Sequence, residues 1–189
     1  MLETLIELDK ELFFFLNGLH TSWLDSIMFW VSDKLIWIPF YAWLLYLIIK
    51  EYKWKSIIWL IGIGLAIAAS DQILSGFMKP FFERYRPSRD PELEGLVHIV
   101  NGYTGGRYGF ASSHAGNVFA LAIFLYSLFK EKYKWIGWLF LWAGIVSYSR
   151  VYLGVHYPGD IIVGAVIGTS MGWLFYTLSD RVRRKYYPV

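Results

Sequence analysis

Apolar residues in this chain come in long blocks, and the polar residues between them gather in short clusters. Blocks at about 35–49, 54–78, 113–129, 135–152 and 159–178 are apolar almost throughout, a pattern that predicts membrane-spanning helices. The first is short for a hydrocarbon layer of ~30 Å unless a few preceding residues extend it. Residues 2–16 have a different rhythm, with Leu2, Leu5, Ile6, Leu8, Leu12 and Phe13 at helical spacing among five charged residues. That predicts an amphipathic helix, too charged to span and suited to the membrane interface. Asn17-Gly18 stops it, and a short apolar piece at 23–31 is broken by Ser32-Asp33-Lys34. The expected fold is all-α: an integral membrane helical bundle of five spanning helices, or six if part of 1–31 also crosses.

Composition sharpens this. Only 17% of the 189 residues are charged, while 56% are apolar and 20% aromatic, with ten tryptophans. A soluble domain of this size rarely carries so few charges, and tryptophan-rich apolar blocks suit a membrane with interfacial aromatics. No cysteine is present, so disulfides and thiolate metal sites are excluded. The first 18 residues carry Glu3, Glu7, Asp9 and Glu11, too acidic for the basic start of a signal peptide, so none is expected. A single domain over 1–189 follows: N-terminal interfacial helices at 1–31, a helical core at 35–178 with a loop at 79–111, and a basic tail at 179–189.

The net charge is +3, and its placement says more than its sum. Lys50, Lys53 and Lys55 share one connection, Lys130, Lys132 and Lys134 another, and Arg181, Arg183, Arg184 and Lys185 sit in the tail. With five spans these clusters fall on one side, which the positive-inside rule makes cytoplasmic. The loop 79–111 and the stretch 149–160 then share the opposite face. Gly164, Gly168 and Gly172 form a small-residue stripe that suits close packing within the bundle, with a homodimer as the lesser use.

Three polar clusters converge on that opposite face. Lys79 to Pro87 ends the second block, Ala111-Ser112-Ser113-His114 opens the third, and the stretch 149–160 holds Arg150, His156 and Asp160. So much polar chemistry at a membrane boundary is expensive and marks a site. Pro158 suits the first turn of a helix, which puts His156 at its entrance and Asp160 one turn on. Asp160 can then accept from one imidazole nitrogen and leave the other basic. Arg150 can offer a planar fork to a phosphate oxygen; the plainer alternative is a buried Arg150–Asp160 ion pair beside a satisfied histidine. Ser112 or Ser113 can cap the third block's helix, whose N-terminus favours an anion.

These residues carry a resemblance. The chain resembles the type 2 phosphatidic acid phosphatase family, membrane relatives of the vanadium haloperoxidases. The family's signatures are Lys-six residues-Arg-Pro, Pro-Ser-Gly-His, and Ser-Arg-five residues-His-three residues-Asp. They read here as Lys79…Arg86-Pro87, Ala111-Ser112-Ser113-His114 and Ser149-Arg150…His156…Asp160. The first and third match fully; the second has Ala111 for proline and Ser113 for glycine, which bears on the shape of the substrate pocket. The resemblance covers roughly 35–178. It implies a two-step hydrolysis of a lipid phosphate or diphosphate without metal or cofactor. His156 would be the nucleophile, oriented by Asp160, and His114 the general acid and base. Lys79, Arg86, Arg150, Ser112 and Ser113 would hold the phosphate.

In an envelope with polyprenyl carriers undecaprenyl diphosphate is a leading substrate on this reading, with lipid A phosphates, phosphatidylglycerol phosphate and phosphatidic acid equally open. The setting implied is a bacterial inner membrane with the site facing the periplasm. The partners are the lipid substrate and membrane lipids, with no nucleic acid and no obligate protein. The competing class is a non-enzymatic binder or transporter of anionic lipids, which needs the cations and no His156–Asp160 pair. Haloperoxidase chemistry suits this composition least. Three further residues are candidates for secondary roles: Asp71 as partner of a site cation, His98 as a head-group contact, and Asn117 as a brace for His114. Arg84, Arg89, Tyr103, Arg107 and Tyr108 lie in the same loop as head-group contacts or solvated positions.

Overall fold

The computed structural model describes residues 2–186; the last three residues of the expected tail lie outside the described residues. The order is α1 (Leu2–Asn17), α2 (Ser22–Ser32), α3 (Ile38–Tyr52), α4 (Ser56–Asp71), α5 (Lys79–Phe82), α6 (Ser113–Phe129), α7 (Trp138–Tyr152) and α8 (Pro158–Tyr186). Among the described residues there is no β-strand, only an isolated bridge between Tyr85 and Tyr108. Each apolar block is helical, because in hydrocarbon a helix satisfies every backbone group within its own segment. Two helical runs, Lys34–Phe82 and Pro158–Tyr186, are long and apolar enough to cross a membrane, and Ser113–Phe129 is apolar but shorter. The first run doubles back at Lys53, whose φ is 50°, so α3 and α4 form a hairpin.

Two expectations change in detail. The block 54–78 is not one α-helix: after α4 the chain passes through a π-helical stretch, Gln72–Met78, before α5. The basic tail is not a separate piece, since α8 runs on through it. Arg183 and Arg184 fold back one turn onto Asp180, with nitrogen–oxygen distances of 2.9 and 2.7 Å, the spacing at which helical side chains meet.

The core lies between α3, α4, α6 and α7, around Leu44, Leu47, Ile48, Trp59, Phe124, Leu125, Phe129, Trp142 and Val146. Along the middle of α8 the buried positions are glycines, Gly164, Gly168 and Gly172. A Cβ on any of them would run into the α6 backbone oxygen of Ser112, Gly116 or Ala120. The glycine stripe is therefore used within the bundle, where it lets two helix backbones touch. Helix α1 buries Phe13 against Tyr157, rings 5.3 Å apart, and leaves Leu5, Leu8, Leu12 and Phe15 exposed.

The two ends of the bundle differ in chemistry. At one, Glu51 bonds Lys132 and Tyr133, and Trp59 stacks on Tyr176. This gathers the two lysine-rich turns and the basic end of α8. At the other end lie the start of α6, the start of α8 and the loop between α5 and α6.

Candidate active site

The turn between α7 and α8 ends in Pro158 at the first position of α8, where a missing N–H is harmless. His156 is 1% and Asp160 0% exposed. His156 Nδ1 lies 3.2 Å from Asp160 Oδ2, and that same oxygen accepts from Tyr157 N at 3.0 Å. Arg86 Nη1 sits 3.0 Å from His156 Nε2. A guanidinium can only donate, so Nε2 carries the lone pair and Nδ1 the proton. The tautomer is thus set from both sides, with the basic nitrogen turned away from the carboxylate. Burial, then the charges of Arg86, Arg150 and Lys79, hold the His156 imidazole well below the usual histidine range.

Helix α6 starts beside it. Ser112 is its N-cap, accepting from Ala115 N at 3.5 Å, and Ser112 N donates to the Asp160 carbonyl at 3.0 Å. Two helix N-termini therefore meet, each with a positive dipole end, although the Gly159, Asp160 and Ile161 N–H groups at the start of α8 already have acceptors. His114 stands half-buried in the first turn of α6.

Three cations surround this junction. Arg86, 8% exposed, also donates to the carbonyls of Tyr108 at 3.1 Å and Val155 at 3.0 Å. Gly109 passes so close that a Cβ there would lie 3.1 Å from both Arg86 Cγ and Asp160 Oδ2. Arg150, 3% exposed, bonds Ser32 Oγ and donates to Tyr103 Oη at 3.0 Å, and its Nε has no partner among the described residues. Lys79 donates to Ser75 Oγ at 3.1 Å and Ser113 Oγ at 3.3 Å. Among the described residues none of the three cations is ion-paired with a carboxylate. The alternative Arg150–Asp160 pair is absent, because Arg84 takes Asp160 Oδ1 at 3.0 Å. Buried cations without counter-ions cost several kcal/mol, and an anion is what such a cluster can take up.

The secondary residues fall differently. Asp71 accepts from Ser75 at 3.4 Å, so it meets Lys79 through that hydroxyl. Asn117 Oδ1 is buried without a partner among the described residues, and Asn117 lines a cavity of ≈ 510 Å³ with His114, Ser113 and the apolar side chains of α3, α4 and α6. His98 turns to the N-terminal helices, bonding Asp25 Oδ1 at 2.9 Å and stacking on His20 at 3.7 Å. Arg107 donates to Tyr85 Oη at 2.8 Å and Arg89 to the Gly105 carbonyl at 3.4 Å. Sequence reasoning missed Lys34, which lines both the ≈ 510 Å³ cavity and a neighbouring one of ≈ 400 Å³ that reaches Arg150 and His114. It also missed Asp9, which bonds Arg84 at 2.7 Å. Neither carries a local signal, since one breaks an apolar run and the other lies on a charged helix face. Among the described residues no group of three or more His, Cys, Asp or Glu side chains is placed to hold a metal ion.

Comparison with known proteins places these features in a wider set. The family model described as the PAP2 superfamily matches residues 59–184. The lipid A 4'-phosphatase of Bacteroides thetaiotaomicron is 44% identical over 185 residues, spanning 96% of this chain and 81% of that protein. The lipid A 4'-phosphatase of Porphyromonas gingivalis is 36% identical over 98% of this chain and 78% of its own. Among solved structures, the crystal structure of Aquifex aeolicus LpxE superposes with a TM-score of 0.68 at 27% identity, covering 90% of this chain and 95% of that one.

Proposed function

Because the chain belongs to the PAP2 superfamily and is a membrane lipid phosphatase, we propose that it removes the phosphate monoester of a lipid A-type glycolipid through a phosphohistidine on His156. The observation that carries the reading is the set of three site cations, Lys79, Arg86 and Arg150, without carboxylate partners among the described residues. A phosphate supplies the missing counter-ion, and the same cations neutralise charge that builds on its equatorial oxygens. No metal or cofactor is needed for that part.

In the first step Arg86 exchanges its bond to His156 Nε2 for a phosphate oxygen. The freed lone pair attacks phosphorus, the bond from phosphorus to the sugar oxygen breaks, and His114 gives that oxygen a proton. Asp160 stabilises the positive charge that appears on the imidazole. In the second step His114 takes a proton from water, whose oxygen attacks phosphorus. The P–N bond breaks, inorganic phosphate leaves and His156 is restored. The glycolipid is favoured over a polyprenyl diphosphate by two relatives named lipid A 4'-phosphatase. The apolar cavity that reaches His114 suits the acyl chains of a lipid whose phosphate lies in the cation cluster. The site faces the periplasm if the lysine-rich end is cytoplasmic.

The test is phosphate release by the purified protein in detergent. Bis-phosphorylated lipid A would be set against undecaprenyl diphosphate, phosphatidylglycerol phosphate and phosphatidic acid, each with and without chelator. The highest kcat/KM is expected on lipid A, unchanged by chelation. A higher value on another lipid overturns the substrate; loss on chelation, restored only by a divalent ion, overturns the metal-free chemistry.

A further inference from the structure

Arg84 bridges two carboxylates. Its Nη1 donates to Asp160 Oδ1 at 3.0 Å and its Nη2 to Asp9 Oδ2 at 2.7 Å, while the guanidinium lies over the Tyr157 ring, 4.0 Å from its centre. The other oxygen of Asp9 accepts from Gly159 N at 2.7 Å. A Cβ on residue 159 would sit 2.8 Å from Asp9 Oδ2, so this seat takes a carboxylate only where the chain has glycine. Both side chains are largely shielded, Asp9 at 15% and Arg84 at 25% exposure. Helix α1 precedes the residues matched by the family model, yet it places a carboxylate on the turn that carries His156.

We propose that Asp9 and Arg84 are positioning residues for His156, acting through Asp160. Resting on the assignment of His156 as nucleophile, the argument is one of charge. Asp160 alone presents one negative charge to the imidazole. Arg84 fixes the far oxygen of Asp160 but cancels that charge, and Asp9 restores it, so the Asp9–Arg84–Asp160 chain again carries a net negative charge. When His156 becomes positively charged on forming the phosphohistidine, that charge stabilises it. Arg84 supplies geometry, and Asp9 lets it do so without weakening the carboxylate. In a site shielded from water the difference is poorly screened.

The discriminating variant is Asp9→Asn, which keeps an oxygen for Gly159 N–H and removes both the charge and the oxygen that accepts from Arg84 Nη2. With lipid A and with p-nitrophenyl phosphate, kcat should fall on the order of tenfold, by analogy with the lower end of the range for groups that orient a metal-ligating histidine. KM should stay within about threefold by the same reasoning, since no phosphate contact is lost. Asp9→Glu should recover most of the loss. In an Arg84→Gln background, Asp9→Asn should cost less than about twofold, because coupled residues are not additive. Lys10→Ala, which removes a neighbouring exposed pair with Glu92, should leave kcat unchanged and controls for the docking of α1. If Asp9→Asn does not yield a monodisperse protein, Arg84→Lys carries the test: it keeps the charge, loses the fork, and should lower kcat with KM held. Unchanged kcat in either variant overturns the proposal, as does an undiminished Asp9→Asn effect in the Arg84→Gln background. His156→Ala separates the two levels. If it retains turnover, the nucleophile assignment falls and this proposal with it; if it is inactive while Asp9→Asn is unimpaired, only this proposal falls.

Discussion

His156 Nε2 faces a group that can only donate, while Nδ1 faces a carboxylate, so the ring is held with its lone pair toward the cations. In the proposed chemistry His156 serves both steps, and His156→Ala should abolish turnover with any leaving group. His114 matters most when the departing oxygen is a poor leaving group. His114→Ala should therefore lose about 10²–10⁴-fold on the glycolipid and less on p-nitrophenyl phosphate, where phosphohistidine should accumulate. Equal losses on both substrates with no trapped intermediate would remove His114 from that role. A second expectation concerns pH. The His156 pKa is depressed on folding, so the neutral ring costs nothing at high pH, and protons bind the unfolded chain first as pH falls. Stability should decline below about pH 6.5, the ordinary histidine value, and His156→Gln should flatten that part of the Tm–pH curve. Parallel curves for the two proteins would show that His156 is not the group responsible.

At the scale of elements, two departures from regular packing place the site. The π-helical stretch 72–78 ends at Lys79, whose amine reaches across to Ser113 on α6; π-helical turns of this kind recur at functional sites because they re-aim the residues after them. The glycine stripe of α8 brings its backbone against α6, and the contact runs up to the junction where Ser112 N meets the Asp160 carbonyl. Gly168→Val should therefore drive α8 off Gly116, with overpacking of about 1–3 kcal/mol, and lower both Tm and kcat. An unaltered Tm in the Gly168→Val variant would mean the helices are not in contact there.

The whole molecule is polarised, with lysine-rich turns at one end and the cation cluster at the other. Labelling of single cysteines in this cysteine-free chain tests which end faces where. Lys53, Lys130 and Arg184 are exposed at the basic end and Gly106 is exposed in the opposite loop. In intact cells, Gly106→Cys should react with a membrane-impermeant thiol reagent, and the other three only after permeabilisation. Reaction of Lys53→Cys from outside would reverse the orientation.

Much of this was legible along the chain because it is local. Apolar blocks mark helices through periodicity and length, and His156 and Asp160 meet because four residues make about one helical turn. Pro158 and Ser112 mark helix starts by rules that act over three or four residues. The departures in the second signature, Ala111 and Ser113, left the Ser112 cap in place and gave Lys79 a hydroxyl partner. What the sequence did not carry was pairing between distant segments. Asp9 and Arg84 are 75 residues apart; Asp9 reads locally as one charge on an amphipathic helix and Arg84 as a head-group contact or solvated position, while His98 reads as a head-group contact or loop histidine until Asp25 and His20 are beside it. Helix periodicity tells which side chains share a face, whereas the partner of a buried charge is decided only when helices pack, since the cost of leaving it unpaired arises only once water has been excluded.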